Sequence, residues 1–200
     1  MKKHFNIFAV LSFYGTIIFI VLVLLLHFLR KDLYFPEHFV SEYAIGRYSY
    51  IQTIAFFSLA IAQLFLFIGL TQYTKTPIFS KFSLGIWCIS LFLIAIFPTN
   101  LPKELPTIEN NIHNLSAFFA FLSLAIAMIL WGRDFRKQSD WQNLSKISQI
   151  FGSVSLIILF ALAISLPSIV GIVQRLLILL DLSWVIILSM QLRTLVSKVI

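Results

Sequence analysis

The sequence predicts an all-α polytopic membrane protein: a bundle of six transmembrane helices in a single domain over residues 1–200, with both termini in the cytoplasm. Three observations carry that expectation. Of the 200 residues, 60% are hydrophobic and only 12% charged, with a mean hydropathy of +0.95. A soluble domain carries roughly 25% charged residues, and a water-soluble fold of this length has no interior large enough for so much apolar surface. The apolar residues fall into six runs, each near the roughly 20 residues that cross a hydrocarbon core. Lys and Arg are spread unequally over the segments between those runs, and this bias sets orientation.

The first run, 6–29, follows Lys2 and Lys3, as a signal peptide would. It exceeds the roughly 7–15 residues of a secretory apolar region, lacks a small-x-small cleavage site and closes on Arg30-Lys31, so it is expected to remain as a helix. The others are expected over 50–73, 80–97, 112–131, 147–166 and 171–192. Only "SLPSIVG" separates the last two, with Pro167 and Gly171 supplying a tight turn. Of the 15 Lys and Arg residues, ten fall on the side of the N-terminus, the second and fourth loops and the tail. Arg30, Lys31, Arg47, Lys103 and Arg175 fall on the other. The bias puts the termini inside and the first, third and fifth connections outside a bacterial inner membrane.

Other classes are excluded by the same composition. Cys88 is the sole cysteine, so there is no intramolecular disulfide and no cysteine-based zinc site. The net charge of +7 is scattered along helix flanks with no dense stripe, which argues against a nucleic-acid partner. No resident cofactor is called for.

The three outer segments are "LRKDLYFPEHFVSEYAIGRYSY", "FPTNLPKELPTIENNIHNLS" and "SLPSIVGIVQRLLILLD". Together they hold His38, Ser41, Glu42, Arg47, Asn100, Glu109, His113, Gln174 and Arg175. In a bundle these groups share one end and can line a polar concavity over an apolar body, a usual place for a ligand site. Four pieces, "SEYAIGRYSYI" (41–51), "FPTN" (97–100), "TIENNIHNLSAFFAF" (107–121) and "GIVQRLLILLDLSW" (171–184), resemble the DUF998 family of bacterial and archaeal membrane proteins in order and spacing. The resemblance covers most of the chain and implies six helices; the family name itself records an unknown function. Family members commonly have Asp where this chain has Asn100 and His where it has Glu109, and both departures count against a metal or acid–base role carried over from the family.

Each candidate has a structural and a functional reading. Glu42 and Arg47 either lock the first loop to the second helix as an ion pair or bind a head group. Arg175, about one turn inside the sixth helix, needs a partner because an unpaired charge there is costly; Glu42 or Glu109 can serve. His38 and Glu42, like Glu109 and His113, are four residues apart and share a face if helical, so two His and two carboxylates make a conceivable zinc set, without a metalloprotease-type signature. Ser41 activated by His113 is a conceivable nucleophile, but it lacks a G-x-S-x-G context and reads equally as a helix cap. His27 reads as interfacial. Asp181 lies deep in the sixth helix, where an ionisable residue is a functional candidate by default, and Gln63 stands at similar depth as its expected hydrogen-bond partner. Tyr34, Phe35, Tyr43, Tyr48 and Tyr50 read as an outer aromatic belt.

The leading expectation is a membrane protein that binds a lipid head group or small polar ligand at its outer face through Glu42, Arg47, Glu109, Gln174, Arg175 and Asp181, with His113 alongside. The alternatives are a lipid hydrolase using Ser41 and His113, and a proton-coupled carrier resting on Asp181. Membrane lipids are the expected partners.

Overall fold

The helices end where local chemistry stops them. A computed structural model describes residues 5–101, 104–105 and 107–197. It contains α1 (Phe5–Leu29), α2 (Ser49–Tyr73), α3 (Ile78–Ile96), α4 (Ile108–Phe135), α5 (Gln142–Ala163) and α6 (Val170–Ser197), plus a short 3-10 turn over Val40–Ala44. All six helices are long and apolar enough to cross a membrane, and no strand occurs among the described residues. Helix α4 starts a turn earlier than expected because Thr107 caps it, its Oγ1 accepting from the Asn110 N–H at 3.1 Å. The expected end of α4 and start of α5 also move outward. There Trp141 stacks on Phe135 with ring centroids 4.9 Å apart, an aromatic pair that extends the packed seam beyond the apolar runs.

In hydrocarbon, burying an apolar face gains little, so association rests on close packing of small residues and on hydrogen bonds between helices. This sequence supplies both. Ser12 and Ser189 join α1 to α6 at 2.8 Å, and Gln63 Nε2 in α2 donates to Thr16 Oγ1 in α1 at 2.9 Å. The Trp131 indole in α4 donates to the Ser80 carbonyl of α3 at 2.8 Å, and the Trp184 indole in α6 to Ser148 Oγ in α5 at 2.9 Å. Such bonds average about 0.6 kcal/mol each in membranes, so they specify rotation and register more than they stabilise. Gly152 lets α5 approach α4 closely: a Cβ there would lie 2.6 Å from the Ala125 carbonyl oxygen. Each helix packs on its chain neighbour and α6 returns to α1, closing the ring. Bulky apolar side chains such as Phe79 (75% exposed) and Phe160 (68%) remain outward for lipid.

Contacts define two ends of the bundle. At one, the α1–α2 loop meets the start of α6, where the Gly171 N–H donates to the Pro36 carbonyl at 2.8 Å. At the other, Ser80 Oγ donates to the Asp134 carboxylate at 2.5 Å, and the Lys75 N–H to Gln138 Oε1 at 3.0 Å.

Candidate functional site

The first loop does not lie on the surface; two arginines draw it into the mouth of the bundle. Arg30, at the end of α1, is buried. Its Nη1 donates to the carbonyls of Ile45 (2.6 Å), Arg47 (3.1 Å) and Tyr43 (3.4 Å), while Nε and Nη2 grip the Asp32 carboxylate at 2.9 and 2.8 Å. That guanidinium holds the Asp32 carboxyl below its ordinary range. The carbonyls it gathers belong to a turn with left-handed backbone at Gly46 (φ 72°) and Tyr48 (φ 65°). For Tyr48 that conformation costs on the order of 1–3 kcal/mol, and the Arg30 bonds offset it.

Arg175, in the first turns of α6, does the same from the opposite wall. It makes five hydrogen bonds: to the Phe35, His38 and Gly171 carbonyls (2.9, 2.7 and 2.9 Å), to His27 Nε2 (2.8 Å) and to the Tyr43 hydroxyl (3.1 Å). His27 Nδ1 donates to the Val23 carbonyl at 2.7 Å, so Nε2 is the acceptor and the ring is neutral. A Cβ at Gly171 would collide with the Phe35 and His38 carbonyl oxygens, so only glycine allows the loop so close. Tyr43 is fully buried, and that burial raises its hydroxyl pKa. It is not part of an interfacial belt. Tyr34 and Tyr50 are exposed, as such a belt requires.

Among the described residues, the expected ion pairs of Arg47 and Arg175 with Glu42 or Glu109 are not formed. Buried Glu42 is bonded by His38 Nδ1 and by the Phe39 N–H (3.3 Å). Arg175 is engaged by three carbonyls, His27 and Tyr43, and Arg47 is exposed with its guanidinium 4.7 Å from the Tyr48 ring centre. Glu109 is exposed in the first turn of α4. His38 and Glu42 therefore do share a face, but Glu109 and His113 do not join them; among the described residues no three His, Cys, Asp or Glu side chains are grouped to hold a metal.

Beneath this plug lies an interior chamber of about 80 Å³. A water molecule needs roughly 10–15 Å³ on this scale, so the chamber has room for several waters or part of a ligand. Its walls are apolar, with Phe19, Phe56, Trp87 and Leu124 prominent, and four polar side chains reach it: Ser41, His113, Gln174 and Asp181. Ser41, His113, Ala117, Phe121 and Gln174 also line a lateral groove of about 280 Å³, walled further out by Phe118, Leu159 and Leu162 of α4 and α5. Ala117 thus stands where chamber and groove meet.

Each polar group has a defined hydrogen-bonding state. His113 Nδ1 meets the Phe97 carbonyl at 2.8 Å; a carbonyl only accepts, so Nδ1 carries the proton and Nε2 is an acceptor in the neutral ring. Gln174 Oε1 accepts from the Val40 N–H at 2.8 Å, which ties the plug to α6 and leaves the amide N–H₂ as a donor. Asp181 Oδ1 accepts from Ser155 Oγ at 2.9 Å, whereas its buried Oδ2 has no partner. The expected Asp181–Gln63 bond is absent because Gln63 is turned toward Thr16. Ser41 and His113 share the chamber wall without a hydrogen bond between them, and the His113 ring is oriented by a carbonyl instead of a carboxylate. The nucleophile–base–acid relay of a hydrolase is therefore not assembled.

Three residues that shape the candidate site escaped the sequence reading: Arg30, taken only as a flanking charge; Tyr43, taken as interfacial; and Ser155, one of many serines in apolar runs. No curated protein and no solved structure matches the chain. A family model described as "Protein of unknown function (DUF998)" matches residues 13–191. That span takes in all six helices in whole or part, the loop plug and every residue lining the chamber, and the chain belongs to the DUF998 family.

Proposed function

We propose that this multi-pass membrane protein binds a membrane amphiphile whose hydroxyl- or amine-bearing head enters the chamber and whose apolar part lies in the α4–α5 groove. The supporting observation is Asp181 Oδ2: a buried carboxyl oxygen without a partner, bordering an apolar chamber that shares five lining residues with the α4–α5 groove. Leaving a buried polar atom unsatisfied costs on the order of 1–3 kcal/mol, which a ligand hydroxyl or amine that hydrogen-bonds it recovers. His113 Nε2 adds a second acceptor, and Gln174 and Ser41 add donors, so the head can be oriented by several groups at once. The predominantly apolar wall argues against a freely hydrated ion and for a molecule with a hydrocarbon part. Glu42, Arg47, Glu109 and Arg175 then leave the ligand list; Glu42 and Arg175 hold the roof.

The ten-to-five bias of basic residues supports an extracytoplasmic position for the plugged end, and a helical bundle of this kind fits the bacterial inner membrane. A second reading, hydrolysis of the bound amphiphile, rests on Ser41 and His113 sharing one wall. Ser41→Ala separates the two, since losing one of several head-group contacts weakens binding only modestly whereas turnover is abolished.

The test is mass spectrometry of lipids retained by gently purified protein, run beside a stability measurement. Asp181→Leu is expected to lose the bound species; it also leaves the buried Ser155 hydroxyl without its acceptor and should destabilise by about 1–3 kcal/mol, so Ser155→Ala is the control of matched stability. Ser155→Ala strips Asp181 of its partner and is expected to destabilise by about 1–3 kcal/mol. Retention of the same lipid by Asp181→Leu defeats the proposal.

A further inference from the structure

We infer that the opposite end of the bundle carries a second, separate site, which holds the head group of an anionic phospholipid. A groove of about 450 Å³ lies there along α5, beside the chain just past the end of α4. Arg136 closes one side, just past the end of α4, and Lys146 the other, in the second turn of α5. From Lys146 the lining continues through Gln149, Ile150, Ser153 and Val154. Those positions are offset by three, four, seven and eight residues, which is one face of a helix. Cations at the mouth therefore lead into two parallel rows along a single face, one polar (Ser145, Gln149, Ser153) and one apolar (Ile150, Val154), so that a phosphate can sit at the cations while an acyl chain follows the apolar row.

Two independent features make this more than a cluster of surface charges. The floor is fixed: Ser145 Oγ donates to the Gly132 carbonyl at 2.8 Å, and Gln149 Nε2 donates to the Ser145 carbonyl at 3.2 Å. Both cations are also available. Arg136 and Lys146 are exposed, and among the described residues the only ion pairs are Arg30–Asp32 and His38–Glu42. Asp134, the acid nearest Arg136 in sequence, instead accepts from Ser80. A soluble acidic peptide or free phosphate would use the charges alone and leave Ile150 and Val154 uncovered. A phospholipid uses both, and basic pockets between helix ends suit anionic head groups.

The experiment is native mass spectrometry of the full-length, delipidated protein in detergent, titrated with phosphatidylglycerol or phosphatidylcholine. The Arg136→Gln/Lys146→Gln pair is compared with Lys75→Gln/Arg193→Gln, which removes equal charge at the same end but outside the groove. Wild type is expected to take up its first phosphatidylglycerol in preference to phosphatidylcholine. The groove pair should weaken that event by about 30-fold, from two basic contacts of ordinary membrane-surface strength, and the control pair by less than about threefold. Melting without lipid should be unchanged in both, since all four side chains are exposed. Equal losses in the two pairs would mean diffuse attraction to basic residues and would overturn the site. Absence of any head-group preference, or full displacement by equimolar inorganic phosphate, would overturn it as well.

Discussion

Replacing Arg175 by Met keeps the apolar stem of the side chain and removes all five of its hydrogen bonds. The Gly171 carbonyl belongs to α6 itself, and the Phe35 carbonyl lies at an exposed position where water can replace the guanidinium. The His38 carbonyl, the His27 Nε2 and the Tyr43 hydroxyl are less accessible. Each buried group left unpaired costs about 1–3 kcal/mol, and breaking a buried charged network costs about 3–5 kcal/mol in all. Arg175 is only half-buried, and its removal also relieves some desolvation, so the lower value applies, about 3 kcal/mol. The loss should concentrate in the loop, because the helix ladder does not involve Arg175. Hydrogen exchange over residues 33–45 should accelerate about 150-fold, the equivalent of 3 kcal/mol, with far smaller changes in α2 and α4. Arg175→Lys should recover only part of this, since an ammonium is a point charge and cannot span carbonyls on opposite sides. A loss below about 1 kcal/mol with unchanged loop exchange would refute the clamp.

Two further outcomes follow from the loop and the loops opposite. Because Arg30 depresses the Asp32 pKa, the stabilisation from that pair is present above the ordinary value of 3.8 and is lost as pH falls through the lower folded value. A melting profile taken below pH 4 should therefore show an acid limb that Asp32→Asn flattens, and an unchanged limb would remove Asp32 from the clamp. For orientation, Gln138→Cys in a Cys88→Ser background should react with an impermeant thiol reagent only from the cytoplasmic side; labelling in intact cells would invert the bundle.

How much of this was legible in the sequence depends on the range of the interaction. Helices were legible because hydropathy is a sum over each segment, and α2 begins within a residue of its expected start. Helix ends were less so, because the Thr107 cap and the Phe135–Trp141 stack extend past the apolar runs. Asp181 stood out as a carboxylate in an apolar run, but its partner did not: which of Gln63 and Ser155 faces it depends on helix rotation, fixed by contacts such as Gln63–Thr16. The arginines show the limit most clearly. Reading by charge matched Arg175 to Glu42 and Glu109, whereas the structure matches it mainly to backbone carbonyls of an irregular loop. Carbonyls are present at every residue and leave no mark in a sequence. The same loop buries Tyr43, whose position near a helix end looks identical to that of a lipid-facing tyrosine.

The chamber as a ligand site is tested most directly by filling the wall it shares with the groove and weighing what remains bound. Ala117 borders both spaces, so Ala117→Phe places a ring at the junction without removing any polar group of the chamber. Native mass spectrometry of wild-type protein released from gentle detergent should show one retained amphiphile per chain, and the same spectrum of Ala117→Phe should show the bare protein mass with the fold intact by circular dichroism. An identical adduct on both proteins, or none on wild type reconstituted from native membrane lipids, would contradict the assignment.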